Sequence, residues 1–467
     1  MVGINLADVH YSSSTAPFAN LMVGSDWFDS GWRMLSKDRL DGQGNLLSVP
    51  PDGMVKRFIV APPTDAAGID IRCSFTGAGS LSVWGLGGPI ERSAHGLRFR
   101  LINEHGKQPF PWIEVTGFDP HAPLRDLDCR EARLDRAVRW RPEFFGKLRG
   151  FGVVRFMDWQ NANANEAVAW RDRHTPAALN LDRDGVSVED MLAVAGELGA
   201  DPWFVMPWNA DRNYIEQFAR LVRSRLPADR SVYVEVGNEV WNNGFAVGRQ
   251  AVAEGRARKL GDTDMEAGLR RYGQRTVEVM SIWEAVFAGR RGLVRVLGGQ
   301  HVWPATGETA LAFGDTASHV DALATAPYFG TTLGGTANTR ETSLQRLETE
   351  LVATDQAVVA NRRIATRYGK RYIAYEGGVG LALPAQAPLT EQLQHDPAMV
   401  DLITRYLAAW RRDSGDVLCL FNSVSRPSGW GMWGLAEWED ESDAQAPKLA
   451  AVKRFMAERR GDGRPPP

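Results

Sequence analysis

From residue 151 onward, short apolar runs alternate with stretches whose apolar positions recur every three to four residues. The runs occupy 152–159, 202–208, 231–241, 293–299, 320–328, 371–378 and 416–422. Each has the length and content of a strand. Between them lie helical patterns. In 211–226 the apolar residues fall at 214, 215, 218, 221 and 222, one stripe of a 3.6-residue helix. In 187–200, Ser187 stands as N-cap with Asp190 three residues on, close to a capping box. A last helical pattern over 448–460 closes the chain. Seven strands in such alternation predict a parallel sheet covered by helices. An eighth, GINLADV at 3–9, completes a (β/α)₈ barrel.

Residues 30–130 break this rhythm. Segments 55–62, 69–75, 80–85, 96–102 and 112–118 alternate apolar and polar positions with a period of two, and turn residues separate them. They predict an antiparallel β-sandwich. The expected fold class is therefore α/β, a barrel over 1–29 and 131–467 with an accessory sandwich over 30–130. The insert leaves after the first strand, and 141–150 is the helix that leads back into the second. In the alternative arrangement the sandwich is simply N-terminal and the first barrel strand lies within 110–118.

Composition narrows the class. Fifty-four basic against 57 acidic residues give a net charge of −3, which supplies no basic field for nucleic acid. With 44 % apolar and 24 % charged residues, the chain is neither disordered nor a coiled coil. No apolar run reaches the roughly 18–20 residues that cross a bilayer, so no membrane partner is expected. Cys73, Cys129 and Cys419 cannot form a disulfide framework. Residues 1–11 lack the basic and apolar regions of a secretory leader. That leaves an intracellular protein, or a secreted or periplasmic one whose start is a processed end. The 16 Trp suggest flat platforms of the kind sugars stack on, or a Trp-rich core. Eight scattered His without ligand spacing argue against a catalytic metal, and no nucleotide-binding motif calls for a cofactor.

Barrels of this kind carry chemistry at the C-terminal ends of their strands. The fourth strand ends Gly237-Asn238-Glu239 and the seventh Tyr375-Glu376-Gly377-Gly378. Strands four and seven of a closed eight-strand barrel face each other across its mouth. Two carboxylates in that arrangement are what glycoside cleavage requires. A lone Glu at a strand end more often caps a helix or pairs with Arg; the pair together is more specific. Gly377 and Gly378 are expected to let the backbone turn after Glu376. Asp158 and Trp159 end strand two, Trp208 and Asn209 end strand three, and Gln300, His301 and Trp303 follow strand five. Each is a candidate for a subsite or for packing, as, more weakly, are Asp8 and His10.

The stretches YVEVGNEVWN (233–242) and YIAYEGG (372–378) resemble the acid/base and nucleophile motifs of the clan A glycoside hydrolases. The resemblance covers the barrel but not the insert. It implies a retaining hydrolase acting on a polysaccharide or oligosaccharide. Glu239 is then the acid/base, Glu376 the nucleophile, and Asn238 the partner of the sugar 2-hydroxyl. It also implies that Arg155 and Tyr328 hold the nucleophile. A Trp after strand eight floors the pocket; Trp430, Trp433 and Trp438 compete, and Trp433 is favoured. The rival readings are a non-catalytic carbohydrate-binding protein and a transglycosylase. Oligomeric state is not legible.

Overall fold

The computed structural model describes all residues except 65–67, 87, 103–108, 165, 167, 180, 182–184 and 462–467. The chain opens on β1 (Val2–Asn5) and enters the insert: β2 (Trp27–Asp29), β3 (Val55–Phe58), β4 (Ile69–Thr76), β5 (Gly79–Trp84), β6 (Glu91–Ser93), β7 (Gly96–Leu101), β8 (Trp112–Phe118) and β9 (Arg125–Glu131). It returns through α1 (Pro142–Leu148) to β10 (Val153–Arg155). There follow α2 (Val188–Leu198), β11 (Asp201–Met206), α3 (Arg212–Arg225), β12 (Val232–Val236), α4 (Ala246–Ala257) and α5 (Asp264–Phe287). Next come β13 (Leu293–Gly298), α6 (Ala305–Leu311), β14 (Ala322–Thr325), β15 (Tyr328–Phe329), α7 (Arg340–Arg367), β16 (Arg371–Ala374) and β17 (Gly378–Val379). The chain ends with α8 (Ala387–Gln394), α9 (Ala398–Asp413), β18 (Leu418–Leu420), β19 (Asn422–Val424), β20 (Gly434–Ala436) and α10 (Pro447–Gly461).

Eight parallel strands close in the order β1-β10-β11-β12-β13-β14-β16-β18. Side-chain alternation along each strand divides inside from outside. Val153, Trp203, Tyr233, Ile373 and Cys419 fill the interior as one apolar cluster. Val154, Phe204 and Val234 point outward into the core beneath the helices. The same alternation turns Arg155 and Glu235 inward above the apolar layer. The predicted N-cap of α2 holds: Ser187 accepts the Asp190 amide.

The insert folds as two four-stranded antiparallel sheets, β2-β3-β8-β5 and β6-β7-β4-β9, around a core of its own that includes Leu81, Phe99 and Ile113. It lies between β1 and α1, so the arrangement with a first barrel strand in 110–118 is not the one found: Trp112–Phe118 pairs with β3 and β5. The sandwich also begins earlier than its alternating segments indicated. Trp27–Asp29 pairs with Val55–Arg57, because Trp27 buries its ring in the sandwich core. Cys73 and Cys129, directly opposite on β4 and β9, form a disulfide inside this core. Cysteine count alone argued against a framework, and one bridge is what the register allows; Cys419 stays free in the barrel.

Leaving from the C-terminal end of β1, the insert packs against the connection between β20 and α10. The Glu439 amide donates to the Pro63 carbonyl over 2.9 Å, and Thr64 donates to Asp440. Arg141 clamps Glu131 at the end of β9 (Nε–Oε1 2.8 Å) to Glu439.

Candidate active site

The site is built around one guanidinium. Arg155 ends β10, fully buried, and each of its five N–H groups has a partner. Nε donates to Glu235 Oε2 over 3.1 Å and Nη2 to Glu235 Oε1 over 3.0 Å. Nη2 also donates to Asn238 Oδ1 over 2.9 Å. Nη1 donates to Asn5 Oδ1 over 2.9 Å and to Glu376 Oε1 over 2.8 Å. The planar fork fixes all five directions at once, which an ammonium could not do. The second oxygen of Glu376 accepts from the Tyr328 hydroxyl over 3.0 Å. Tyr328 is brought there by β15, which pairs with Gly378 of β17 just past Glu376. Burial and the charge of Glu376 push the Tyr328 hydroxyl well above its usual range, so it remains a donor.

Glu239 stands one turn beyond β12. Its own φ is 48° and that of Gly237 is 64°, both left-handed. For a glutamate that conformation is uncommon, and strain of this kind is concentrated at functional sites. Its Oε1 accepts from Tyr375 (3.1 Å) and its Oε2 from Asn242 Nδ2 (3.0 Å). Burial, then the charge of Glu376, pushes the Glu239 carboxyl up to about 7. The two carboxylates therefore differ: one is ion-paired to Arg155, the other is held partly neutral near pH 7.

A cavity of about 260 Å³ is lined by Asp8, His10, Asn161 and Asp158 among others, and the Asp158 carboxyl feels the charge of Glu376. Burial, then Glu376 and Asp8, pushes Asp158 up to about 7. Trp433 is half-buried. Its ring meets Tyr328, the partner of Glu376, edge-on at 5.1 Å and Phe421 at 5.7 Å. Trp430 is 80 % exposed, and Trp438 is buried under Arg426.

The other candidates have the following surroundings. Trp159 forms a buried wall of the cavity; its Nε1 donates to the Ala7 carbonyl, and its ring stacks on Phe144. Trp208 is buried and donates to Glu254, and Asn209 pairs with Gln250. His301 bonds Thr325 Oγ1 and the Thr354 carbonyl (3.1 Å each), and burial lowers it to about 4, so it is neutral and engaged. Trp303 lines a separate surface groove with Met265, Phe313 and Tyr368. Asn238 spends its Oδ1 on Arg155 and donates its Nδ2 to Asn163. The turn after Glu376 belongs to Gly378 alone (φ 120°). Gly377 is small for another reason: a Cβ there would overlap the Tyr406 hydroxyl.

Sequence reading missed Glu235, Asn5, Tyr375 and Asn242. Glu235 carried a signal, a charge in the middle of the apolar run VYVEV. Among the described residues, His395, Glu437 and Glu441 bring potential metal-ligand atoms within 4.8 Å of one another. They are held together by hydrogen bonds such as His395 Nε2–Glu437 Oε2 (3.0 Å) and include none of the groups around Glu239 and Glu376.

No family model matches the chain, and no curated protein matches it. Solved structures do. A GH51 arabinofuranosidase from Xanthomonas axonopodis pv. citri is 14 % identical over 66 % of this chain and 65 % of its own, with a TM-score of 0.46. A modular endo-β-1,4-mannanase of family 26 from Cellulomonas fimi is 14 % identical over 57 % and 56 %, with a TM-score of 0.35. Xylanase 10B from Thermotoga maritima is 10 % identical over 68 % and 90 %, with a TM-score of 0.38. All three are named as glycosidases. The chain thus spans less than two thirds of the length of the first two. At such identities the likeness bears on no residue's role, and the functional reading rests on the geometry above.

Proposed function

We propose that the protein is a retaining glycoside hydrolase acting on an oligosaccharide or polysaccharide. The observation that carries the reading is the contrast between two carboxyls in one mouth. Arg155 and Tyr328 hold Glu376, while Glu239 is pushed up to about 7 beside it. A nucleophile and a general acid need that division. Glu376 attacks the anomeric carbon as Glu239 gives its proton to the departing oxygen. A glycosyl ester on Glu376 and a free alcohol result. Glu239, now ionised, takes a proton from water, which attacks the same carbon and releases Glu376. Trp433 offers the apolar floor for the ring at this position. A carbohydrate-binding protein without catalysis has no use for a carboxyl held partly neutral beside a second carboxyl that is paired with Arg155.

The test is covalent. A slow 2-deoxy-2-fluoro glycoside matching a substrate found on a panel of nitrophenyl glycosides should label Glu376 with one sugar, read by peptide mass. Inverted configuration in the first-formed product, seen by NMR, would overturn the mechanism.

A further inference from the structure

The outer face of sheet β2-β3-β8-β5 is aromatic. In its register Trp84, Trp112 and Phe58 stand side by side on β5, β8 and β3. The next row on the same face reads Ser82, Glu114, Lys56, Phe28. Trp32 stacks on Phe58 at 4.9 Å and meets Trp112 edge-on at 5.4 Å. Trp84 is 51 % exposed, Phe110 50 % and Trp32 40 %, in a protein whose other large aromatics are mostly inside. Trp32 is also held in place deliberately. Its φ is 60°, a conformation a bulky residue adopts only under constraint. The constraint is Asp29, whose Oδ1 accepts the Gly31 and Arg33 amides and whose Oδ2 pairs with the Arg33 side chain at 2.9 Å. That turn holds an exposed indole in a strained conformation on the sheet.

The face runs into the barrel mouth. Tyr11 stacks on Phe58 at 4.0 Å and touches the edge of Phe110 at 6.4 Å. The His10 ring lies 4.0 Å from that of Tyr11, and His10 lines the cavity that holds Asp158. A line of side chains thus leads from the cavity of Asp158 through His10, Tyr11, Phe58 and Trp112 to Trp84. Rings interleaved with Ser82, Glu114 and Lys56 offer stacking surface and hydrogen-bonding groups together, the chemistry of a sugar chain. A purely apolar protein interface would not intersperse them so.

We propose that this face binds a run of the glycan whose bond is cut in the mouth, with sugar rings flat on Trp32 and Trp84. The inference rests on the hydrolase reading, and its test separates the two. The full-length Glu376→Gln protein, which cannot degrade the probe, is run in native gels containing soluble β-glucan, xylan, galactomannan or arabinan. It should be retarded by at least one of them. Adding Trp32→Ala and Trp84→Ala should weaken that retardation about tenfold or more, with mobility in empty gels and melting temperature unchanged. Trp84→Phe, which keeps a ring, should retain most of it. Absence of retardation in every gel overturns the inference, as does equal retardation without the two indoles. A dimer that the double substitution converts to monomer also overturns it, since a second copy would then cover the face. Hydrolysis of the panel without retardation sinks the face and spares the hydrolase. Indole-dependent retardation with no substrate of any kind cut does the reverse.

Discussion

Glu235 and Arg155 form a two-pronged pair at 3.1 and 3.0 Å inside the barrel, and this pair sets the direction in which Arg155 meets Glu376. Both oxygens of Glu235 are used, the second also accepting from Trp203 Nε1 at 2.9 Å. Glu235 is 1 % exposed beneath the mouth, and we expect it to act as a positioning residue. Glu235→Gln must set an amide donor against one of these N–H groups, at a cost of ~2–4 kcal/mol. We expect a lower melting temperature and at least a tenfold loss of kcat with KM less affected, together with slower covalent labelling of Glu376. Wild-type labelling kinetics in a destabilised variant would leave Glu235 a purely structural role.

Catalysis should fail on the alkaline side. Glu239 must carry a proton to act as acid, and its carboxyl is pushed up to about 7. The rate should therefore fall as pH rises above about 7, toward tenfold per unit. Glu239→Gln should remove this limb and lower kcat by about 10²–10⁴, with a smaller loss for substrates whose leaving group needs no proton. Asp158, also pushed up to about 7, provides the control. If Asp158→Asn erased the limb and Glu239→Gln kept it, the acid would be Asp158.

The barrel and the two carboxyls were legible because each strand is an apolar run and each carboxyl stands where a run stops. Glu235 was not, since it interrupts the run whose apolar pattern defined β12, and only its distance to Arg155 explains the interruption. Trp159, Trp208 and His301 also follow strands, yet the connections fold over them; burial in a loop leaves no periodic trace. The Cys73–Cys129 bridge was hidden for a similar reason. The two cysteines are 56 residues apart and meet only through the register of β4 and β9. The start of the sandwich at Trp27 is a three-residue strand, too short to show alternation.

The same carboxyl makes stability depend on pH. Glu239 rises from an ordinary 4.5 to about 7 on folding, so between those values the folded chain holds the extra proton. Its favourable contribution is complete below about 4.5 and is lost as pH rises through 7. The full change is ~3 kcal/mol. Glu239→Gln should therefore melt higher than the wild type at pH 8 and close to it at pH 5. Parallel melting curves for the two proteins from pH 5 to 8 would contradict the assignment.

Oxidation state is directly countable. Cys73 and Cys129 are paired and Cys419 is free and buried. Denatured without reductant, the protein should react with one equivalent of a thiol reagent, and after reduction with all 3 cysteines. A bridge closing so long a loop contributes about 2–4 kcal/mol, so reduction should lower the melting temperature of the sandwich. Three reactive thiols before reduction would show that the pair stays open.

The last prediction concerns the clamp between insert and barrel. Arg141 is 2 % exposed, and its partners Glu131 and Glu439 are 6 % and 1 % exposed at their side chains. Glu131 ends the sandwich, while Glu439 lies in the connection that follows Trp433. Arg141→Met strands Glu439 in the interior, leaves Glu131 only its pair with Arg133 (Nε–Oε2 2.8 Å), and should cost about 3–5 kcal/mol. Burial already pushes Glu439 above its usual range even with the guanidinium in place, so without Arg141 it should take up a proton. The destabilisation should accordingly shrink as pH falls toward 5. Adding Glu131→Gln and Glu439→Gln to Arg141→Met removes both charges and should recover much of the loss, because uncompensated charge causes it rather than a missing contact. If the clamp also sets the position of Trp433, the Arg141→Met protein should show a raised KM at a temperature where it is still folded. The triple variant should return KM toward the wild-type value. A triple variant as unstable as Arg141→Met would show that the geometry of the fork, rather than its charge, holds the two domains together.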